Sequence, residues 1–315
     1  MGLIREAFVP RKGWVYAFAD YSGLELATLA QVCLDVLGHS EMAEALKRGE
    51  DLHLALGADM LGITYAEAKA RMKAGDAEMK HYRQQAKPAG FGFPGGLGAD
   101  SFREYAEQYG VILTLQQAKD LKDAWFRKWP EMRDYFEWIR LLTEGNNPLP
   151  AVQIRSGRLR GGASYCATAN GAFQGLASDG AKEALWRVAK ECYLAADPHH
   201  WEGARTTPTP LFGARPVLFI HDEIGMEVPY TTEVGGSPLT ASAAATRLSF
   251  VMVHAMTKWV PDVPIKADPV LVRRWYKGAE PVYMAGEGGA RILVPSKPVK
   301  GEKNGKKFTE WVADL

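Results

Sequence analysis

The sequence predicts an α+β fold, on three observations. Residues 13–20 read as a short buried strand that ends in a carboxylate and runs straight into a helix. Residues 40–142 are patterned as a succession of helices. Residues 216–228 read as a β-hairpin with acidic residues at its tip. In the first of these, Val15, Tyr16 and Phe18 supply β-branched and aromatic side chains between Gly13 and the polar step Asp20-Tyr21-Ser22. Leu24 to Leu37 is then apolar almost all round and stops at Gly38, as a buried helix does. Taken alone, an aspartate at Asp20 is more often a strand-end cap or turn residue than a metal ligand.

Composition bounds the class. The chain has 315 residues, 47% hydrophobic and 24% charged, enough for a sizeable core in one or two domains. Thirty-eight Lys and Arg against 37 Asp and Glu give a formal net charge of +1, so any basic surface is local. The cysteines are Cys33, Cys166 and Cys192. An odd number with no Cys-x-x-Cys pair points away from a disulfide framework or a thiolate metal site and toward a reducing cytoplasm. Arg5, Arg11 and Lys12 near the start are not joined by an apolar run of signal-peptide length, and no later stretch reads as a membrane span.

Taken in order, residues 1–12 predict no element of their own. Ser40 caps a short helix to Leu46, and Asp51 to Leu61 forms another, with His53 in its first turn. Thr64-Tyr65-Ala66-Glu67 has capping-box spacing and starts a helix ending near Gly75. Asp76 caps the next helix, where Arg83, Lys87 and Phe91 recur every fourth residue along one stripe. Two cations and a ring on one face suit a nucleoside triphosphate, although spacing alone fits a solvated basic face as well. Pro88 predicts a kink or an end there, and residues 91–98 a hinge-like glycine-rich loop without the Gly-Lys-Ser/Thr of a Walker motif.

Helices follow over 114–129 and 131–142, whose aromatic residues fall on packing faces, then a turn at 145–148. A strand at 152–154 leads into the basic turn bearing Arg158 and Arg160, and a long helix over 170–195 carries Asn170 and Gln174 four apart. Amides so spaced can read base edges in a groove. A Pro/Gly/Thr-rich loop over 197–214 precedes the hairpin, whose tip is His221-Asp222-Glu223. Acids at the end of an apolar strand are costly unless their charge has a use. A helix over 239–259 and a strand over 263–272 follow, and residues 281–315, rich in Gly, Lys and Pro, predict a poorly ordered tail.

Two strand-end aspartates, Asp20 and Asp222, separated by a basic helical insert, are what two-metal phosphoryl transfer needs. At this point the chain resembles the family A DNA polymerases. Asp20-Tyr21-Ser22-x-x-Glu25-Leu26 resembles that family's first palm motif, Arg83-x-x-x-Lys87-x-x-x-Phe91-Gly92 its fingers-helix motif, and His221-Asp222-Glu223 its third motif, all in the family's order. With Asp51-Leu52-His53, Gly157-Arg158-x-Arg160 and Asn170-x-x-x-Gln174-Gly175, the similarity covers most of residues 8–278.

The resemblance implies a right-hand palm, an antiparallel sheet backed by helices, over residues 1–38 and 151–280, with helical fingers over 39–150. It implies two Mg²⁺ ions on Asp20, Asp222 and the backbone carbonyl of Tyr21, with Glu223 a secondary acid. Arg83, Lys87 and His53 would hold the triphosphate, Lys87 also donating a proton to pyrophosphate; Phe91 would pack on the incoming nucleotide and Glu25 would exclude a ribose 2′-hydroxyl. Arg158, Arg160, Asn170, Gln174 and His221 would lie along the primer-template. The implied partners are primer-template DNA, deoxynucleoside triphosphates and a separate thumb-bearing chain.

Gly23, Gly95 and Cys166 depart from the family pattern, which has Gln, Tyr and Arg at these places, and Pro88 falls within the fingers helix. Only a dozen residues precede the first motif, so a thumb and an exonuclease-like domain are expected to be absent. Two rival readings are a binding module that is inert without a thumb-bearing chain, and a two-metal nuclease. The nuclease is disfavoured because Arg83, Lys87 and Phe91 suit a triphosphate.

Overall fold

The computed structural model describes residues 2–145, 149–194, 208–303 and 306–315. In chain order the elements are α1 (Gly2–Glu6), β1 (Trp14–Tyr21), α2 (Leu24–Leu37), α3 (Glu41–Lys47), α4 (Leu52–Leu61), α5 (Tyr65–Lys73), α6 (Ala77–Gly92), α7 (Ala99–Glu107), α8 (Leu115–Lys128) and α9 (Glu131–Thr143). Then follow β2 (Ala151–Val152), β3 (Leu159–Arg160), α10 (Tyr165–Tyr193), β4 (Arg215–Ile220), β5 (Glu223–Pro229), α11 (Pro238–Thr257), β6 (Ala267–Val272), β7 (Val282–Ala285), β8 (Arg291–Lys303) and β9 (Lys306–Ala313). The α+β expectation holds. Among the described residues, no helix is long and apolar enough to cross a membrane.

The chain packs as two units, a sheet-bearing one of residues 1–22, 180–258 and 265–315 and a helical one of 23–179 and 259–264. Residues 23–38 and 151–179, expected with the sheet, thus pack with the helices.

In the sheet-bearing unit the strands run in the order β4-β5-β1-β6-β8-β7, with β9 paired to β8. Every pairing is antiparallel except β6 with β8. β1 is central and buried along its length until Asp20, because α11 packs on the sheet while Tyr16, Phe18, Val270, Val272 and Trp275 form a core cluster. Gly225 lies directly across from Phe18, and a Cβ there would sit 2.2 Å from the ring, so only glycine lets the two strands pair.

Two expectations fail in this unit. Residues 1–12 contain α1, whose Arg5 lies over the Trp275 ring at 4.4 Å. The expected tail over 281–315 is instead β7, β8 and β9, with Leu293, Val294 and Ser296 buried and the Leu293 amide donating to Ser242 Oγ at 2.9 Å. Strands form there because β6 and β7 supply pairing partners, which outweighs the composition of the segment.

In the helical unit, side chains of Ser40, Asp51, Thr64, Asp76 and Thr114 accept from backbone amides at the first turns of α3, α4, α5, α6 and α8. Trp125, Trp129 and Tyr135 are core residues, joined by Phe93 and Phe102. α6 does not end at Pro88 but continues to Gly92, with Ala86, Pro88, Ala89 and Gly90 buried; their packing offsets the lost helical hydrogen bond. α7 was not expected, and α10 begins five residues earlier than expected, at Tyr165. Residues 146–148 of the expected turn and 197–207 of the expected loop lie outside the described residues.

Candidate active-site residues

In the sheet-bearing unit, Ala19 pairs with Ile224, and β4 joins β5 through the two-residue turn His221-Asp222. His221 takes a left-handed backbone, φ 56°, which glycine would adopt without strain. This geometry brings the Asp222 carboxyl into a side-chain hydrogen bond with that of Asp20. Burial, then the charge of Asp222 and this hydrogen bond, push the Asp20 pKa up to about 6, against the opposing pull of the Tyr21 amide and His221. Burial also raises Glu223, and the charge of Asp20 adds to it while Arg5 opposes. Crowded carboxylates of this kind hold a proton or a cation between them.

The Tyr21 side chain is turned away from these acids. Its ring is buried and its hydroxyl donates to the Met252 carbonyl at 2.6 Å, while burial and the charge of Asp222 hold the phenol well above its ordinary pKa. Only its backbone remains for the cluster. Asp268, which the sequence reading did not single out, is the direct cross-strand partner of Asp20 and accepts a hydrogen bond from Ser22 Oγ at 2.9 Å. Among the described residues no group of three or more His, Cys, Asp or Glu side chains forms a ready-made cation site. The donors present are hard oxygens, and Mg²⁺ characteristically takes one or two carboxylates and completes its shell with water and substrate phosphates. Asp20 and Asp222 fit that demand.

In the helical unit, α4 and α6 pack together and bring His53, Arg83, Lys87 and Phe91 into one group. Arg83 donates from Nε and Nη2 to Asp51 Oδ2 at 2.9 and 2.6 Å, while Asp51 Oδ1 accepts from the His53 and Leu54 amides. Burial favours the neutral acid at Asp51, but the Arg83 hydrogen bond and the Leu54 amide outweigh it and hold the carboxyl below its ordinary pKa. His53 is lowered, chiefly by burial and further by the charges of Arg83 and Lys87, so its ring is neutral at pH 7. The ring lies 5.6 Å from that of Phe91, and a Cβ on Gly90 would come within 2.7 Å of it. Lys87 is half-buried, without a carboxylate partner among the described residues. The group therefore presents one committed and one free cation beside a ring, in a turn-by-turn arrangement suited to a polyphosphate.

The other expected contacts of this unit lie on α10 and on the β2–β3 hairpin. Gln174 is exposed and donates to Glu25 Oε1 at 3.4 Å. The hairpin β2–β3 closes against α10, α9 contributing Trp138 and Leu142, around a cavity of about 690 Å³ lined by Gln153, Arg158, Arg160, Asn170 and Gln174 among others. Arg158 bonds Asp179 at 2.9 Å and Arg160 donates to the Ala167 carbonyl at 3.4 Å, so both guanidinium groups are held along α10. Gly175 permits this approach, since a Cβ there would lie 2.8 Å from Gln153 Nε2. A Cβ on Gly95 would stand 3.0 Å from Asn170 Oδ1, a buried oxygen without a hydrogen-bond partner among the described residues.

Comparison with known proteins bears on the family of the chain. The chain is 27% identical over 285 residues to DNA polymerase I of Lactococcus lactis strain IL1403, and 26% identical to DNA polymerase I of Geobacillus stearothermophilus. Each alignment covers 87% of this chain and 27% of the relative, so the chain spans about a quarter of the length of the curated relatives it matches. The solved POL domain of Pol1 from M. smegmatis, in complex with DNA primer-template and dNTP, superimposes with a TM-score of 0.59 at 22% identity. That match covers 86% of this chain and 42% of the solved one, and it bears on the fold. Residues 2–277 match the sequence pattern of DNA polymerase family A, and the chain belongs to that family.

Proposed function

We propose that the chain is the catalytic core of a template-directed DNA polymerase, which adds deoxynucleotides to a primer 3′-hydroxyl. The hydrogen-bonded pair Asp20 and Asp222, set at the ends of adjacent strands in a family A chain, is the observation that carries this reading. The sheet-bearing unit corresponds on this reading to a palm and the helical unit to fingers. Asp20, Asp222 and the Tyr21 carbonyl would hold two divalent cations such as Mg²⁺, which supply Lewis-acid activation of the attacking hydroxyl and charge neutralisation of the leaving phosphate. Glu223 holds negative charge beside them.

Lys87 binds the triphosphate and gives a proton to the departing pyrophosphate. Arg83 grips the phosphates after exchanging its Asp51 partner, and the neutral His53 ring contributes a hydrogen bond. Phe91 packs on the incoming nucleotide, and Glu25 stands against a 2′-hydroxyl. Arg158, Arg160, Asn170, Gln174 and His221 contact primer and template. The three cysteines are all free, which supports a cytoplasmic setting. Primer extension tests the reading: Asp222→Asn is expected to lose about a thousandfold or more of incorporation while folding normally. Near-parental extension by that variant would exclude it.

A second reading, favoured by the near-balanced charge of the chain, is that it works only with a separate thumb-bearing chain. Phosphate contacts dominate duplex affinity, and a net charge of +1 supplies few of them. On that reading the chain alone extends primers poorly and loses activity steeply with salt, and a thumb-bearing fragment added in trans restores it. Salt-tolerant, processive synthesis by the chain alone would exclude the second reading and leave the first.

A further inference from the structure

Asp268 stands directly across from Asp20 in the antiparallel pair of β1 and β6. Side chains so placed share one face of the sheet, and like charges directly opposite one another are destabilising. A carboxylate at this position therefore needs a compensating use, and its hydrogen bond shows one. Ser22 Oγ donates to Asp268 Oδ2 at 2.9 Å, while the Ser22 amide donates to the Lys266 carbonyl at 2.9 Å. Ser22, the residue just past β1, is thus held by two hydrogen bonds at the start of β6, immediately after Asp20 and Tyr21. On the other side of the strand end, the Tyr21 hydroxyl is fixed to the Met252 carbonyl, and Ser249 Oγ binds the Ala267 carbonyl next to Asp268.

Left-handed Gly23, φ 68°, follows at once and turns the chain into α2. A strand end that meets a glycine turn has little stiffness of its own. Two side-chain hydrogen bonds hold it, Ser22 to Asp268 and Tyr21 to the Met252 carbonyl.

We propose that Asp268 is a positioning residue: by holding the Ser22 hydroxyl it fixes the end of β1, and with it the direction of the Asp20 carboxylate and the Tyr21 carbonyl. The inference rests on the polymerase reading above. It assigns Asp268 no direct contact with substrate. Its action runs through Ser22, so a neutral acceptor of the same shape should serve.

The test uses the full chain with two readouts, the Mg²⁺ dependence of primer extension and the rise in melting temperature on adding Mn²⁺. For Asp268→Ala we expect the Mg²⁺ half-saturation to rise about five- to tenfold and the Mn²⁺-induced thermal shift to shrink, with KM for the nucleotide unchanged and melting in EDTA equal to or above parental. Ser22→Ala should reproduce this, and Asp268→Asn, which keeps an acceptor oxygen, should restore both values to within about twofold. Parental cation dependence in Asp268→Ala, or an Asp268→Asn variant as defective as Asp268→Ala, overturns the inference. A variant that melts early in EDTA also overturns it, because the residue is then merely structural. If the parental chain shows neither extension nor a Mn²⁺ shift, the polymerase reading and this inference fall together, whereas a parental chain with both isolates a failure to Asp268.

Discussion

Arg83 grips a single oxygen of Asp51 through both Nε and Nη2, at 2.9 and 2.6 Å, and the other oxygen of the same carboxylate caps α4. The expected phosphate ligand is thus already paired. On the polymerase reading, an incoming triphosphate would have to displace Asp51, and the carboxylate left behind would repel it. Asp51→Asn keeps the side-chain cap but removes the charge, so we expect a KM for the nucleotide about three- to tenfold lower, with stability changed by less than about 1 kcal/mol. Steady-state kinetics at saturating primer-template decides this. A higher KM would mean that Asp51 aims Arg83 at the substrate instead of competing with it.

Asp20 has a pKa pushed from 3.8 up to about 6, so the folded chain holds a proton that the unfolded chain releases between those values. The stability linked to that proton is fully present below about pH 4 and is lost as pH rises through about 6. Asp20→Asn removes the titration. In buffer free of divalent cations we expect the variant to match the parent near pH 4 and to melt about 1–2 °C higher at pH 7. That figure corresponds to about 1 kcal/mol after discounting the shift for the solvent exposure of Asp20. Thermal melts across the range check it, and a difference that does not vary with pH would contradict the pair.

β8 is part of the sheet, and a substitution of its buried side chain should show it. Leu293 is 1% exposed, next to Val294 at 3%, on the strand that pairs with β6 and β7. Leu293→Ala is expected to cost about 2–4 kcal/mol, read from denaturant melts. A loss below about 0.5 kcal/mol would mean that these strands are dispensable for the sheet.

The elements that could be read in advance were those with one local signal. Asp20 followed from a β-branched and aromatic run that meets a polar step, and the starts of α3 to α6 followed from capping residues at the right spacing. The failures each have a tertiary cause. Pro88 lies in a helix whose buried neighbours Ala86, Ala89 and Gly90 hold it in register. α7 is short, enters from the glycine run, and buries only Phe102 and Ala106. The strands β7 to β9 are Gly-, Lys- and Pro-rich and owe their form to the edge supplied by β6. Asp268 was invisible because its partnership with Asp20 is a matter of strand register, which joins residues 248 apart (268 − 20) and leaves no mark in local pattern.

On the polymerase reading the departure at Gly95 would bear on sugar selection. A side chain at Gly95 would press on Asn170, and an aromatic residue that acts on Glu25 comes from α7. The Tyr105 ring lies 3.1 Å from the place a Cβ would take on Gly92. Its phenol is raised by burial, by its hydrogen bond with Tyr109 at 2.9 Å, and by the charge of Glu25, so Glu25 lies within electrostatic reach of it. Glu25 is also tied to Gln174 at 3.4 Å, a long bond. On the polymerase reading Glu25 would stand against a 2′-hydroxyl, because a ribonucleotide would press on its charge. We expect Glu25→Ala to relax the discrimination between matched ribo- and deoxynucleotides by about tenfold or more. Single-nucleotide incorporation measured for both sugars gives the ratio directly, and an unchanged ratio would remove Glu25 from sugar selection.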